Sequence, residues 1–262
     1  THSTGLRLPG RQPNTSRITE TANLVRCGDT TNKPRNLGKH QPMSTVTKAM
    51  VLAAGRGVRM RPLTNHLPKA LAPLCNETLL DRALKQCRNA GVDLITVNAH
   101  YKGEMIRSHL RDISNIQISW EEELLETGGG VCKALPLLGP EPFFVINCDS
   151  VWLDLGRSTL SRLSDAWRED EMDAMLMLQP VERAVGYNGS GDFSLDKTGR
   201  IQRRGIQDKA PFVFMGVQIL HPRLFNDLKV ESFSLNQIYD RALTQNRLFG
   251  LVHDGVWFHV GT

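Results

Sequence analysis

Cysteine is scarce in this chain, with five residues in 262 and an odd count. Cys27, Cys75, Cys87, Cys132 and Cys148 form no CxxC and match no zinc-ligand spacing. A disulfide-stapled miniprotein and a structural zinc module are therefore excluded, and reduced thiols in a cytoplasmic protein are the plain reading. No apolar run approaches the ~20 residues that span a bilayer, so no membrane partner is expected. Residues 43–262 hold no internal repeat and no low-complexity tract. An H-E-x-x-H motif is missing, and so is any Ser-His-Asp arrangement.

An excess of one charge sign is also missing from the part that folds. The net charge is +5, but of 32 basic and 27 acidic residues, seven and two lie in 1–42, leaving 25 of each. A nucleic-acid partner would rest on basic charge alone, and that charge sits in the leader. Residues 1–42 are rich in Thr, Asn, Arg, Gly and Pro and have no apolar period, so they cannot bury enough surface to fold alone. They read as a disordered leader or non-native upstream sequence, with Met43 looking like a natural start. An organellar transit peptide is the weaker reading.

What is present from residue 43 to 262 is an ordinary globular composition, 40% hydrophobic and 23% charged over the whole chain. Apolar strands alternate with amphipathic helices. The sequence predicts strands at 49–54, 94–97, 116–120, 143–146 and 174–178, with helices over 79–90, 103–110 and 155–167. Such alternation predicts an α/β fold, a Rossmann-like doubly wound and mainly parallel mixed sheet covered on both faces. After Pro180 a hairpin is expected around Asp196–Gly199, then a strand at 212–220 and a helix at 234–243. Residues 248–253 and 256–260 look like strands paired about Asp254-Gly255. No helix follows the last strand, the pattern expected of a domain truncated at its C-terminus. No hexapeptide β-helix repeats follow, and the sequence does not fix an oligomeric state.

The chemistry concentrates in four places. The first is the loop Leu52-Ala53-Ala54-Gly55-Arg56-Gly57-Val58-Arg59-Met60-Arg61, followed by Pro68-Lys69-Ala70-Leu71. Glycines directly after a buried strand let backbone N–H groups approach an anion, and the flanking cations point to phosphate. It is neither GxGxxG nor a GK[ST] loop. The second is Glu126-Thr127-Gly128-Gly129-Gly130, where three glycines read as opening a helix at Val131 and admitting a ligand. The third is Asn147-Cys148-Asp149. Asp149 ends an apolar strand, where ligands of open parallel sheets bind and where a carboxylate suits Mg2+. Cys148 reads as a small buried strand residue, and Asp154 as a cap for the next helix. The fourth is Trp257-Phe258-His259-Val260-Gly261-Thr262.

In this order the four motifs resemble the signature of the sugar-1-phosphate nucleotidyltransferases, a family with a glycosyltransferase-A-like domain, over about residues 48–262. The resemblance implies an enzyme that joins an NTP to a sugar 1-phosphate and releases pyrophosphate with Mg2+. It implies that Ala53, Ala54, Gly55 and Gly57, with Glu126, Gly128 and Gly129, hold the nucleotide. Arg59 and Lys69 would neutralise its phosphates, and Arg59, Lys69 and Asp149 would form the catalytic set. Asp149 would bind the metal. His259 stands where many relatives carry an Asp or Asn as second metal ligand, and a neutral imidazole suits softer metals. For the sugar, Asn98, Gly186 and Gly216 are the candidates, with His100, Asp192 and the Phe214-Met215 stretch beside them. Overall similarity favours a branch using UTP and N-acetylmuramate 1-phosphate in bacterial cell-wall recycling. Mannose- or heptose-1-phosphate guanylyl transfer is the alternative, and a non-catalytic regulatory subunit that binds nucleotide sugars is the alternative of another class.

Overall fold

A computed structural model describes residues 46–261. The expected leader, 1–42, lies outside the described residues. In chain order the elements are β1 (Lys48–Leu52), β2 (Pro73–Leu74), β3 (Glu77–Thr78), α1 (Leu79–Asn89), β4 (Leu94–Ala99), α2 (Gly103–Leu110), β5 (Ile116–Trp120) and α3 (Glu126–Leu138). There follow β6 (Phe143–Asn147), β7 (Ser150–Leu153), α4 (Thr159–Ala166), β8 (Ala174–Pro180), β9 (Ala184–Val185), β10 (Phe193–Leu195) and β11 (Ile201–Arg203). The last are β12 (Phe212–Leu220), α5 (Leu235–Thr244), β13 (Leu248–Val252) and β14 (Val256–His259).

Nine strands form the main sheet, in the order β11-β10-β12-β6-β1-β4-β5, with β8 pairing both β12 and β13. β6, β1, β4 and β5 run parallel. β12 runs antiparallel to β6 and β8, and β8 and β13 pair in parallel. The α/β class and the mixed sheet are thus borne out. The parallel strands make one half of the sheet, and an antiparallel extension through β12 makes the other.

Alternation along each strand divides the core in two. Ala49, Val51, Phe144 and Ile146 face one cluster with Leu80, Leu84, Ile106 and Leu163 of α1, α2 and α4. Met50, Phe143 and Val145 face the other, with Val131, Leu138, Ile238 and Ala242 of α3 and α5. Each helix buries the apolar stripe that its sequence spacing predicts. α1 begins on a capping box between Thr78 and Asp81.

Three local expectations are corrected. β13 and β14 do not form a hairpin; β13 stays with β8, while β14 pairs with β7 and β9 in a separate small sheet. The physical reason lies in the linker. The Arg183 guanidinium donates to the Asp254 carbonyl at 2.7 Å, His253 Nδ1 meets Gln179 Oε1 at 2.8 Å, and Gly255 fits against the Leu153 carbonyl only because it lacks a Cβ. The helix expected to open at Val131 begins instead at Glu126, with the three glycines inside it. Ser158 is the N-cap of α4, its hydroxyl accepting from the Ser161 N–H at 3.1 Å. Asp154 supports that turn from outside, accepting from the Thr159 N–H at 3.0 Å.

Candidate active site

β1 and β6 lie side by side with Leu52 opposite Asn147. Their carboxyl ends therefore place the loop from Ala53 and the Asn147-Cys148-Asp149 segment together, where ligands of open α/β sheets bind. Asn98 lies near the carboxyl end of β4 beside them. Its Oδ1 accepts from the Ala53 N–H at 2.7 Å, and its Nδ2 donates to Glu121 Oε1 at 2.6 Å. Glu121, also buried, accepts from the Leu125 N–H through its other oxygen at 3.2 Å. Asn98 thus ties the start of the loop to the N-terminal end of α3.

The loop is held open at Gly57. Its φ is +61°, and a Cβ there would lie 2.8 Å from the Lys69 Cβ and 2.9 Å from Thr64 Cγ2. The Thr64 hydroxyl donates to the Gly57 carbonyl at 2.9 Å, and the Tyr101 hydroxyl donates to the Thr64 carbonyl at 2.9 Å. Arg56, Arg59 and Arg61 are exposed. Lys69 pairs with Asp149 Oδ2. At the far side, a Cβ built on Gly261 would lie 3.5 Å from Arg59 Nη2, 3.5 Å from His259 Cε1 and 3.6 Å from Asp149 Oδ2. These three side chains converge on one point.

Three clefts meet here, and Asn147 lines all of them. One, of about 370 Å³, is lined by Ala53, Ala54, Gly55, Lys69, Glu126 and Asp149 among others. A second, of about 240 Å³, has Arg59, Asp149, Asp192, Gly216 and His259 in its wall. The third, of about 470 Å³, runs past Thr127 and Asp192 to Arg203, Arg204 and the start of α5. A pair of clefts sharing a cation-flanked carboxylate can hold two phosphate-bearing molecules with their phosphates adjacent.

Other candidates take different places. Gly128 and Gly129 donate both N–H groups to the Phe233 carbonyl, at 2.8 and 3.2 Å. Cβ atoms on them would run into the Phe233 ring and the Glu231 carbonyl. Their glycine character therefore lets α3 dock on residues 231–233 and leaves no N–H for a ligand. Asn98 lines the nucleotide-sized cleft, but both ends of its side-chain amide are held, by the Ala53 N–H and by Glu121, which makes it a strut before it is a sugar contact. His100 is likewise tied, Nδ1 to the Glu121 carbonyl at 3.0 Å. Gly186 has φ +75° and packs near the His259 carbonyl. Gly216 has φ +79° where β12 shifts register, and a Cβ there would lie 2.9 Å from the Asn147 amide. Cys148 is buried, and burial pushes its thiol well above the usual range, so it is no nucleophile. Asp254 pairs with Arg162 at 2.8 Å, away from the clefts.

Glu121, Tyr187 and Arg204 were not singled out by the sequence, and Asn147 entered only as part of its motif, with no role of its own. Asn147 had a signal, a polar residue closing the apolar run Phe143–Ile146. Tyr187 stacks edge-on against His259, with ring centroids 5.8 Å apart. Among the described residues, no group of three or more His, Cys, Asp or Glu side chains is placed to hold a metal. No helix among them is long and apolar enough to cross a membrane.

Residues 48–262 match the family described as nucleotidyl transferase. The chain belongs to this family. The motif-based resemblance is therefore borne out, and the protein is a nucleotidyltransferase. It is 38% identical to the N-acetylmuramate alpha-1-phosphate uridylyltransferase of Caulobacter vibrioides, covering 81% of this chain and 91% of that protein. The namesake enzyme of Neisseria meningitidis is 36% identical, covering 82% and 93%. The mannose-1-phosphate guanyltransferase beta-B of Xenopus laevis is 28% identical, covering 82% of this chain but 61% of its own length. Among solved structures, the inositol-1-phosphate CTP transferase of T. maritima superposes with a TM-score of 0.68 at 18% identity, covering 84% of this nucleotidyltransferase and 91% of that chain. That likeness speaks to the fold alone.

Proposed function

We propose that this nucleotidyltransferase moves a uridylyl group from UTP to N-acetylmuramate 1-phosphate, giving the UDP-sugar and pyrophosphate, in the cytoplasmic recycling of bacterial cell wall. The observation that carries the reading is the Lys69–Asp149 pair at the mouth of two clefts, with Arg59 facing it. Two relatives of nearly the same length, 38% and 36% identical, support the substrate choice. The guanylyltransferase relative stands at 28% and extends well beyond the matched region.

The chemistry needs no covalent intermediate. A phosphate oxygen of the sugar 1-phosphate attacks the α-phosphorus in line, and the bond to pyrophosphate breaks with its electrons on the leaving oxygen. The protein must position two polyanions and screen their charge. Ala54, Gly55 and Glu126 wall the nucleotide cleft. The Ala53 N–H is taken by Asn98, so phosphate contacts fall to the residues that follow and to the cations. Lys69 is positioned to stabilise charge at the α-phosphate. Arg59 and His259 flank the second phosphate from the other cleft.

The donors present fit Mg2+ through one residue. The Asp149 carboxylate is 25% exposed and faces the junction of the clefts, and Mg2+ takes few protein oxygens beside water and phosphate. Asp149 would hold the ion, which supplies Lewis-acid screening of the phosphates. The imidazole of His259 is a poorer match for Mg2+.

The test is pyrophosphate release with Mg2+, crossing UTP, GTP, dTTP and CTP with N-acetylmuramate-, N-acetylglucosamine-, glucose- and mannose-1-phosphate. Turnover concentrated in the UTP and N-acetylmuramate cell is the expected result. A maximum with GTP and mannose 1-phosphate would replace the substrate assignment. Silence from folded protein that binds NTP would overturn the catalytic reading in favour of a binding subunit.

A further inference from the structure

The 470 Å³ cleft ends on two neighbouring arginines with different surroundings. Arg203 is neutralised. Its Nε donates to Asp240 Oδ1 at 2.6 Å, its Nη2 to the Asn236 carbonyl at 3.1 Å, and its guanidinium lies 5.7 Å from the centre of the Phe193 ring. Arg204 has no carboxylate within ion-pair distance among the described residues. Its Nη1 makes only long bonds to the carbonyls of Gln207 and Asp208, at 3.4 and 3.3 Å. Asp192, the other charged residue lining the cleft that Arg203 leaves unpaired, is beyond ion-pair reach, and its Oδ2 accepts from the Phe214 N–H at 2.9 Å.

The main chain that carries Arg204 is fixed in place. The Arg204 N–H donates to the Asp192 carbonyl at 2.9 Å, and the Ala210 N–H donates to the Ser190 carbonyl at 2.7 Å, so both stems of the loop 204–210 are anchored. Gly191 must lack a Cβ for the Ala210 carbonyl to approach. A half-buried guanidinium on an anchored backbone, with no acidic partner among the described residues, suits an anion.

The cleft shares Asn147 with the two clefts that hold Asp149. A sugar whose 1-phosphate lies at Lys69 and Arg59 can therefore extend toward Arg204 with its far side. The geometry points to Arg204 as the residue that reads a carboxylate carried by the sugar, so that the preferred acceptor is an acidic sugar 1-phosphate. This inference rests on the uridylyltransferase reading, in which the acceptor carries a lactyl carboxylate that N-acetylglucosamine 1-phosphate lacks.

The experiment is a cycle between protein and substrate. kcat and KM are measured at saturating UTP for wild type, R204Q and R204K. The acceptors are N-acetylmuramate 1-phosphate, its lactyl methyl ester and N-acetylglucosamine 1-phosphate. R204Q should lower kcat/KM for N-acetylmuramate 1-phosphate about tenfold, chiefly through KM. Esterifying the carboxylate should cost wild type a similar factor, and the two changes together should cost no more than either alone. R204K should recover part of the loss. An equal loss on all three acceptors would overturn the inference by assigning Arg204 to the shared 1-phosphate. So would an R204Q enzyme that keeps the wild-type ratio among acceptors. If wild type failed to use N-acetylmuramate 1-phosphate at all, the proposed function would fall first and this inference with it.

Discussion

Replacing Asn98 with alanine separates two roles for one residue. The sequence suggested a sugar contact, whereas the fold makes Asn98 a buried strut between the Ala53 N–H and Glu121. Asn98→Ala leaves the buried Ala53 N–H and one oxygen of the buried Glu121 carboxyl unpartnered. Each such group costs about 1–3 kcal/mol, so the loss should be about 3 kcal/mol, a large part of a typical stability of about 5–15 kcal/mol. With a urea m-value of about 3 kcal/mol/M for a domain of this size, the unfolding midpoint should fall by about 1 M. The same change frees the start of the phosphate loop, so KM for UTP should rise more than KM for the sugar phosphate. Urea titration and steady-state kinetics on the same preparation read both effects. An unchanged midpoint with a selective rise in the sugar KM would refute the strut and restore the sugar contact.

Lys69→Ala removes the cation at the reacting phosphate, and pyrophosphate release should fall about 100-fold or more in kcat; unchanged turnover would remove Lys69 from the chemistry. Gly129→Ala in a helix would ordinarily stabilise by about 1 kcal/mol. Here the new Cβ meets the Glu231 carbonyl, so a lowered Tm is expected, and a raised one would show that α3 can slide. Asp154 should contribute an acid-sensitive share of stability. Burial works against its ionisation, but the bonds from the Thr159 N–H and hydroxyl, with His253 Nε2 3.8 Å away, outweigh that and hold its carboxyl below the usual range. A carboxyl lowered in the folded state stabilises above its unfolded pKa of about 3.9 and loses that contribution as pH falls through the native value. Tm should therefore drop less steeply between pH 5 and pH 3 in Asp154→Asn than in wild type, as roughly the window around that pKa; parallel curves would discount the bonds.

The parallel half of the fold was legible because its information is local. Phe143–Ile146 is a continuous apolar run, and Leu80, Ala83, Leu84 and Cys87 lie at helical spacing, so strand and helix follow from burial alone. The start of α3 was not legible for a physical reason. Three consecutive glycines disfavour helix by about 1 kcal/mol each, and only contacts with residues about 100 positions away, the Phe233 carbonyl among them, outweigh that. The same limit applied at β14. Asp254-Gly255 is a good hairpin turn, but Arg183 and His253 hold it so that the strand leaves β13 for β7.

The candidate site divides along the same line. Loop glycines, Lys69 and Asp149 announce phosphate chemistry by residue type and order. What a polar side chain does depends on its partners, which the sequence does not list. Asn98 looked available until Ala53 and Glu121 were found on either side of it. Arg203 and Arg204 are indistinguishable in the string Gln202-Arg203-Arg204-Gly205, yet folding gives Asp240 to one and, among the described residues, no carboxylate to the other. Specificity in such a site is therefore carried by the charge that tertiary structure leaves unpaired.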